Sequence, residues 1–297
     1  MRPLRVALIH RNSPRVMETR MVGWWSYAVP EFVVTHYVVG RGFRLDRDEL
    51  AKAHDMAVYE DAKIFGTFSG KAEIPIFYHA VDSTALEGHY QHRLSEGSKC
   101  DVILVDHDKL ERFEISGRPV FRFGYCINDH LFYDYELEKT VDVSFHCNAK
   151  DCPERVNVML FLADFCKERN YVFVAGQRDW IEYAKAFNRS KITVNVSVAP
   201  PNRPHRVFDA MGSKTCLITN HLCEVSGEER KAGIHYLEYS TPKNLANIID
   251  EILSTGLWKQ IGEQAYRLVH EKHTWQVRAG QLRELCAGLA ERWPALG

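Results

Sequence analysis

Short apolar runs alternate with longer polar stretches along the first 125 residues. "LRVALIH" (4–10), "EFVVTHYVVG" (31–40), "DMAVYED" (55–61), "IPIFYHAVD" (74–82), "DVILVDH" (101–107) and "RPVFRFGY" (118–125) are β-branched or aromatic, mostly bounded by Gly, Pro or Asp, and predict strands. Between several of them lie helical patterns such as "DRDELAKAHD" and "STALEGHYQHRLSEG", the latter opening on the capping residues Ser83 and Thr84. Strand, helix, strand in sequence predicts a mostly parallel sheet covered by helices. The periodicity lapses at residues 126–140, "CINDHLFYDYELEKT", which reads as a linker. It resumes with strands at 141–147, 171–176, 192–198 and 215–220, separated by helical patterns, and from Asn244 onward the chain is helical almost throughout. The pattern predicts two α/β domains, 1–140 and 141–297, and a C-terminal helical segment.

Composition narrows the classes. The 297 residues are 45% hydrophobic and 26% charged, enough for two cores, with a formal net charge of -1. That balance argues against coating nucleic acid by bulk electrostatics. No apolar run is long enough to span a bilayer and the N-terminus has no secretory pattern, so a cytoplasmic location is expected. The eight cysteines lack CxxC pairing and read as reduced thiols, with no structural zinc.

The densest candidate chemistry is "PPNRPHRVFDAMGSKTCLITN" (200–220), with Asn202, Arg203, His205 and Arg206 gathered just ahead of an apolar helix. Pro204 suits a first helical turn, Val207, Ala210 and Met211 recur on an inward face, and Asn202, Arg206 and Asp209 share the other. The helix would open at the carboxyl end of a parallel strand, where open α/β sheets bind ligands. Two guanidinium groups there suit a diphosphate, and Asp209, one turn further in, suits ribose hydroxyls. A solvated face with an Arg206–Asp209 ion pair is the competing reading.

The segments "YAKAFNRSKITVNVS", "RVFDAMGSKTCLITN", "GIHYLEYSTPKNLANIIDEIL" and "AYRLVHEKHTWQVRAGQL", in that order and spacing, resemble the C-terminal domain of GT-B glycosyltransferases of the group-one, spore-maturation-protein-like family. "IPIFYHAVDST" and "FGYCINDHLF" resemble parts of the N-terminal domain and interdomain crossing of that family. The resemblance implies two Rossmann-like domains facing a cleft. It also implies a nucleotide-sugar donor on the second domain, UDP by frequency, an acceptor on the first, and transfer with retention and without a metal or other cofactor. Two departures stand out. The family has a glutamate where this chain has Asp209, and another eight residues earlier where it has Pro201; the glycine-rich loop after the first strand is replaced by "HRNSPR".

On this reading Arg203 and Arg206 stabilise charge on the leaving diphosphate, with Arg178 of "AGQRDW" as a third cation and Asn202 and His205 beside them. His79 and Asp82, at a strand terminus, face the reaction from the acceptor side; a core histidine and a helix cap are the alternatives. Residues 1–20 carry Arg2, Arg5, Arg11, Arg15 and Arg20 against Glu18 alone. Arg11 and Arg15, with Trp24 and Trp25, form a candidate acceptor site for something anionic, a modified DNA base or a glycan. The Asp106/Asp108 pair, the His89/His92 pair and the His146, Cys147, Cys152 cluster each lack a full metal-ligand set. A nucleotide-sugar epimerase and a non-catalytic coat or particle module are the alternative functions.

Overall fold

The computed structural model describes residues 2–11, 28–40, 42–60, 67–80, 87–106, 110–147, 152–176, 180–197, 205–222 and 229–297. They form two compact units: residues 1–125 with 275–297, and residues 126–274.

The first unit is built on β1 (Leu4–Arg11), β2 (Phe32–Val39), β4 (Met56–Glu60), β6 (Ile76–Ala80), β7 (Val102–Val105) and β8 (Val120–Arg122). They pair in the order β2-β1-β4-β6-β7-β8, every pairing parallel. A small parallel pair, β3 (Arg44–Asp46) and β5 (Thr67–Ser69), stands apart from it. Every residue of β6 and β7 is buried, as expected of central strands covered on both faces, whereas edge strand β2 alternates. One face packs Ile9, Tyr59, Tyr78 and Ile103, which stand side by side in the register, against Leu50, Tyr90 and Phe113 of the covering helices.

The second unit carries β9 (Val141–Phe145), β10 (Phe173–Ala175), β11 (Ser190–Asn195), β12 (Cys216–Thr219) and β13 (Leu237–Glu238) in the order β10-β9-β11-β12-β13, again all parallel. Its core joins Val143, Ile192, Val194 and Ile218 to Leu162, Cys166, Leu245 and Ile249 of the helices. Pro153–Arg169 starts with proline in its first turn, where no N–H is missed, and ends at Asn170 in the left-handed conformation (φ 58°). Pro242–Thr255 is capped by the Thr241 hydroxyl, which accepts from the Asn244 N–H at 3.1 Å.

Two expectations about organisation change. Residues 126–140 belong to the second unit, with Cys126, Ile127, Leu131 and Phe132 buried; the boundary falls at 125/126 rather than at 140. The last helix, Trp275–Gly288, belongs to the first unit. Its Arg278 donates to the carbonyls of Gly124 (3.1 Å) and Tyr125 (3.1 and 3.2 Å), so the segment after the return is tied to the segment before the departure. No helix among the described residues is long and apolar enough to cross a membrane.

Candidate functional site

Strands β11 and β12 end side by side, with Asn195 opposite Thr219 in the register. The helix α1 (Arg206–Gly212) lies between them in the chain and packs on both. It is short, and Val207 to Gly212 are all buried, so its seven residues form a plug at the sheet end rather than a two-faced surface helix. Charge for a ligand here has to come mainly from side chains, since a helix terminus contributes only about 0.3–1 kcal/mol.

Arg206 is partly buried, and its guanidinium is held by the strand ends. Nε donates to Asn195 Oδ1 at 2.6 Å, and Nη2 to the Val196 carbonyl at 3.4 Å. Asn195 Nδ2 donates to Thr219 Oγ1 at 2.8 Å, and that hydroxyl lies 3.5 Å from Asn220 Oδ1. The Asn220 amide then closes on the Ser197 backbone twice, at 2.7 Å each, prolonging the β11–β12 ladder with a side chain. Asn195, Ser197 and Thr219 are buried. Burial lowers the pKa of Arg206, and the neighbouring Arg155, which donates to the same Val196 carbonyl at 3.4 Å, adds repulsion.

Asp209 is 7% exposed, which removes the competing reading of a solvated face. Arg206 turns to Asn195 and Val196 instead, so the simple surface ion pair is not formed. Burial holds the Asp209 carboxyl well above the usual carboxylate range, only partly offset by Arg206. Tyr183, from Trp180–Asn188, is near enough for its phenol to be pushed up by burial and by Asp209. Cys147 and His146 follow β9. The Cys147 thiol is raised by burial, and His146 Nδ1 lies 3.1 Å from the Gly176 carbonyl with its ring edge-on to Tyr183. The carboxyl ends of β9, β11 and β12 thus bring together a fixed guanidinium, a buried carboxyl whose pKa is raised, and a phenol.

The other sequence-derived candidates are distributed as follows. His205 directly precedes α1 in a helical conformation. Asn202, Arg203 and Arg178 lie outside the described residues, as do Asp82, Arg15, Trp24 and Trp25. Arg11 ends β1, and its side chain is outside them too. His79 lies on β6, fully buried, edge-on to Phe123 with ring centroids 5.1 Å apart. Near it in the register, His10 of β1 is paired through Nε2 with Nδ1 of His36 at 3.1 Å, a contact the sequence reading missed.

The basic N-terminal cluster divides. Arg2 and Arg5 bind Asp55 at 2.6 and 2.8 Å, near the amino ends of β1 and β4, and therefore away from the strand end where Arg11 lies. Asp106 is buried after β7, Asp108 is outside the described residues, and among the described residues no group of His, Cys, Asp and Glu could hold a metal ion.

Solved structures similar to the chain share its fold. HepE of Anabaena in complex with UDP-glucose aligns with a TM-score of 0.63 at 11% identity, over 96% of this chain and all of that one. A sucrose-phosphate synthase of Thermosynechococcus elongatus aligns with a TM-score of 0.61 at 12% identity, over 97% and 99%. The pneumococcal O-GlcNAc transferase GtfA, in complex with UDP and GlcNAc, aligns with a TM-score of 0.57 at 10% identity, over 77% and 56%. At these identities the likeness is one of fold, the mixed α/β GT-B architecture with parallel sheets. No curated protein sequence matches the chain. Residues 145–284, which contain the whole network around Arg206, match the family model described as glycosyl transferase-like.

Proposed function

We propose that the protein is a glycosyltransferase that takes a sugar from a nucleoside-diphosphate sugar, UDP favoured, and passes it to an acceptor with retention and without a metal. The observation that carries this reading is the glycosyl transferase-like match over 145–284, because that span holds the guanidinium and carboxyl at the ends of β11 and α1. The bound UDP of the HepE and GtfA structures supports the choice of nucleotide. The spore-maturation-protein-like branch and a cytoplasmic location belong to the same proposal.

In this reading the bond from the sugar to the diphosphate breaks as negative charge grows on the leaving phosphate. Arg206, with Arg203, Arg178 and His205, stabilises that charge. Asp209, whose carboxyl burial pushes well above the ordinary carboxylate range, faces the ribose hydroxyls. Asn202 faces the sugar hydroxyls. His79 positions the sugar, Asp82 orients or deprotonates the acceptor's hydroxyl, and Arg11, Arg15, Trp24 and Trp25 take an anionic acceptor, a DNA base or a glycan.

The test is a thermal-shift series with UDP, UDP-glucose and other nucleoside diphosphates. Binding to the native state alone raises apparent stability, by about 2.7 kcal/mol at a hundred times Kd. A rise in melting temperature with UDP supports the reading; no shift with any nucleoside diphosphate near a millimolar removes it.

A further inference from the structure

The polar chain behind Arg206 has a direction. An arginine Nε can only donate, so the amide of Asn195 must turn its oxygen to Arg206 and its NH2 to Thr219. The Thr219 hydroxyl, having accepted, has its proton for Asn220, whose amide in turn donates to the Ser197 carbonyl. Each group donates to the next, away from the guanidinium, so the dipoles reinforce one another and favour a positive charge at the head of the chain. The Nε/Nη2 edge of Arg206 is therefore occupied by protein, and the Nη1 end makes no hydrogen bond among the described residues. That leaves a guanidinium fixed in rotation, whose outer fork has the geometry for a bidentate anion.

Holding the sheet together does not require this arrangement. The β11–β12 ladder is already formed by Ile192–Asn195 against Cys216–Thr219, and well-packed apolar side chains at the ends would be about as stable as buried polar ones. What the chain adds is the aim of one long side chain that otherwise has several freely rotating bonds.

We propose that Asn195 is a positioning residue that aims the Arg206 guanidinium at the donor's diphosphate, oriented in turn by Thr219. The proposal rests on the donor-binding reading of Arg206 given above. Neither Asn195 nor Thr219 has to touch the nucleotide.

The test is a double-mutant cycle on UDP affinity, measured by calorimetry on the full chain with circular dichroism as the folding control. Asn195→Ala weakens UDP binding about tenfold in the parent, and Thr219→Val, nearly isosteric, weakens it about threefold. In the Arg206→Ala background both effects shrink to less than about twofold, because the side chain they aim is gone. A purely structural Asn195 gives the same loss in both backgrounds, and that result overturns the proposal, as does a folded Asn195→Ala with parental affinity. If Asn195→Ala does not fold, Thr219→Val reads the same coupling. A parent protein that binds no UDP overturns the donor-site reading itself, and this is seen before any substitution is made.

Discussion

The carboxyl ends of the two parallel sheets solve different problems with the same strand geometry. At the second, Asn195, Thr219 and Asn220 form a chain of amides and a hydroxyl whose end point is one arginine. At the first, the polar groups are imidazoles: His10 against His36, and His79 under Phe123. Amides and hydroxyls do not titrate near neutrality, so the second end is a rigid mount for a permanent charge. The first end instead holds rings packed on one another and on Phe123. Under the proposed function, it is the second sheet whose end recognises a fixed anion.

The sharpest way to break that contrast is a crossed pair of substitutions. Arg206→Ala lowers UDP affinity on the order of 10- to 100-fold, the equivalent of losing a charged hydrogen bond worth about 1.5–3 kcal/mol. His79→Ala leaves UDP affinity within about twofold but destabilises the fold by roughly 2–4 kcal/mol, because His79 is fully buried. Calorimetry and urea titrations of both variants check this; equal loss of UDP affinity in both would erase the contrast.

A smaller effect concerns Asp209. Its folded-state pKa is raised, so above the ordinary carboxylate range the native state keeps a proton that the unfolded chain releases. The contribution of Asp209 to stability is thus fully present below about pH 4 and is lost as pH rises, by up to about 1.4 kcal/mol per pH unit. Asp209→Asn removes that slope. Urea denaturation at pH 5, 6, 7 and 8 should show the variant gaining on the parent as pH rises, whereas parallel curves would mean that Asp209 titrates normally.

The smallest expected effect lies on the acceptor side. If Arg11 and Arg15 bind an anionic acceptor, transfer to hydroxymethylated DNA weakens as salt is raised, and each arginine-to-alanine change flattens the log-log slope by about one. Transfer that is insensitive to salt, and unchanged in both variants, would return these arginines to the surface.

Much of the fold was legible because central parallel strands are apolar on both faces. "IPIFYHAVD" and "TCLITN" could hardly be anything else, while β3, β5 and β13, two or three residues long, leave no period to read. Residues 126–140 read as a linker because their burial follows no period. Their backbone is held instead by a distant side chain, Asn188, which accepts from the Tyr135 N–H at 2.8 Å and donates to the Tyr133 carbonyl at 2.9 Å.

Arg206 and Asp209 were singled out from their place after a strand, but the burial of Asp209 was not legible, since helical spacing alone assigns it to the polar face. Asn195, Thr219 and Asn220 were missed as polar residues closing apolar strands. The available signal was that "VNVS" and "ITN" end two such strands on either side of the same short helix. Arg2 and Arg5 were grouped with Arg11 by closeness in sequence, although one eight-residue strand carries Arg5 and Arg11 to opposite ends.

The central claim is that a nucleoside diphosphate sits against Arg206. A crystal structure with UDP at saturating concentration tests it most directly. The account predicts phosphate oxygens within hydrogen-bond distance of the outer fork of Arg206, the ribose hydroxyls at Asp209, and Asn195 still bound to Nε. UDP bound anywhere else, or an Arg206 that leaves Asn195 to reach it, would contradict the account.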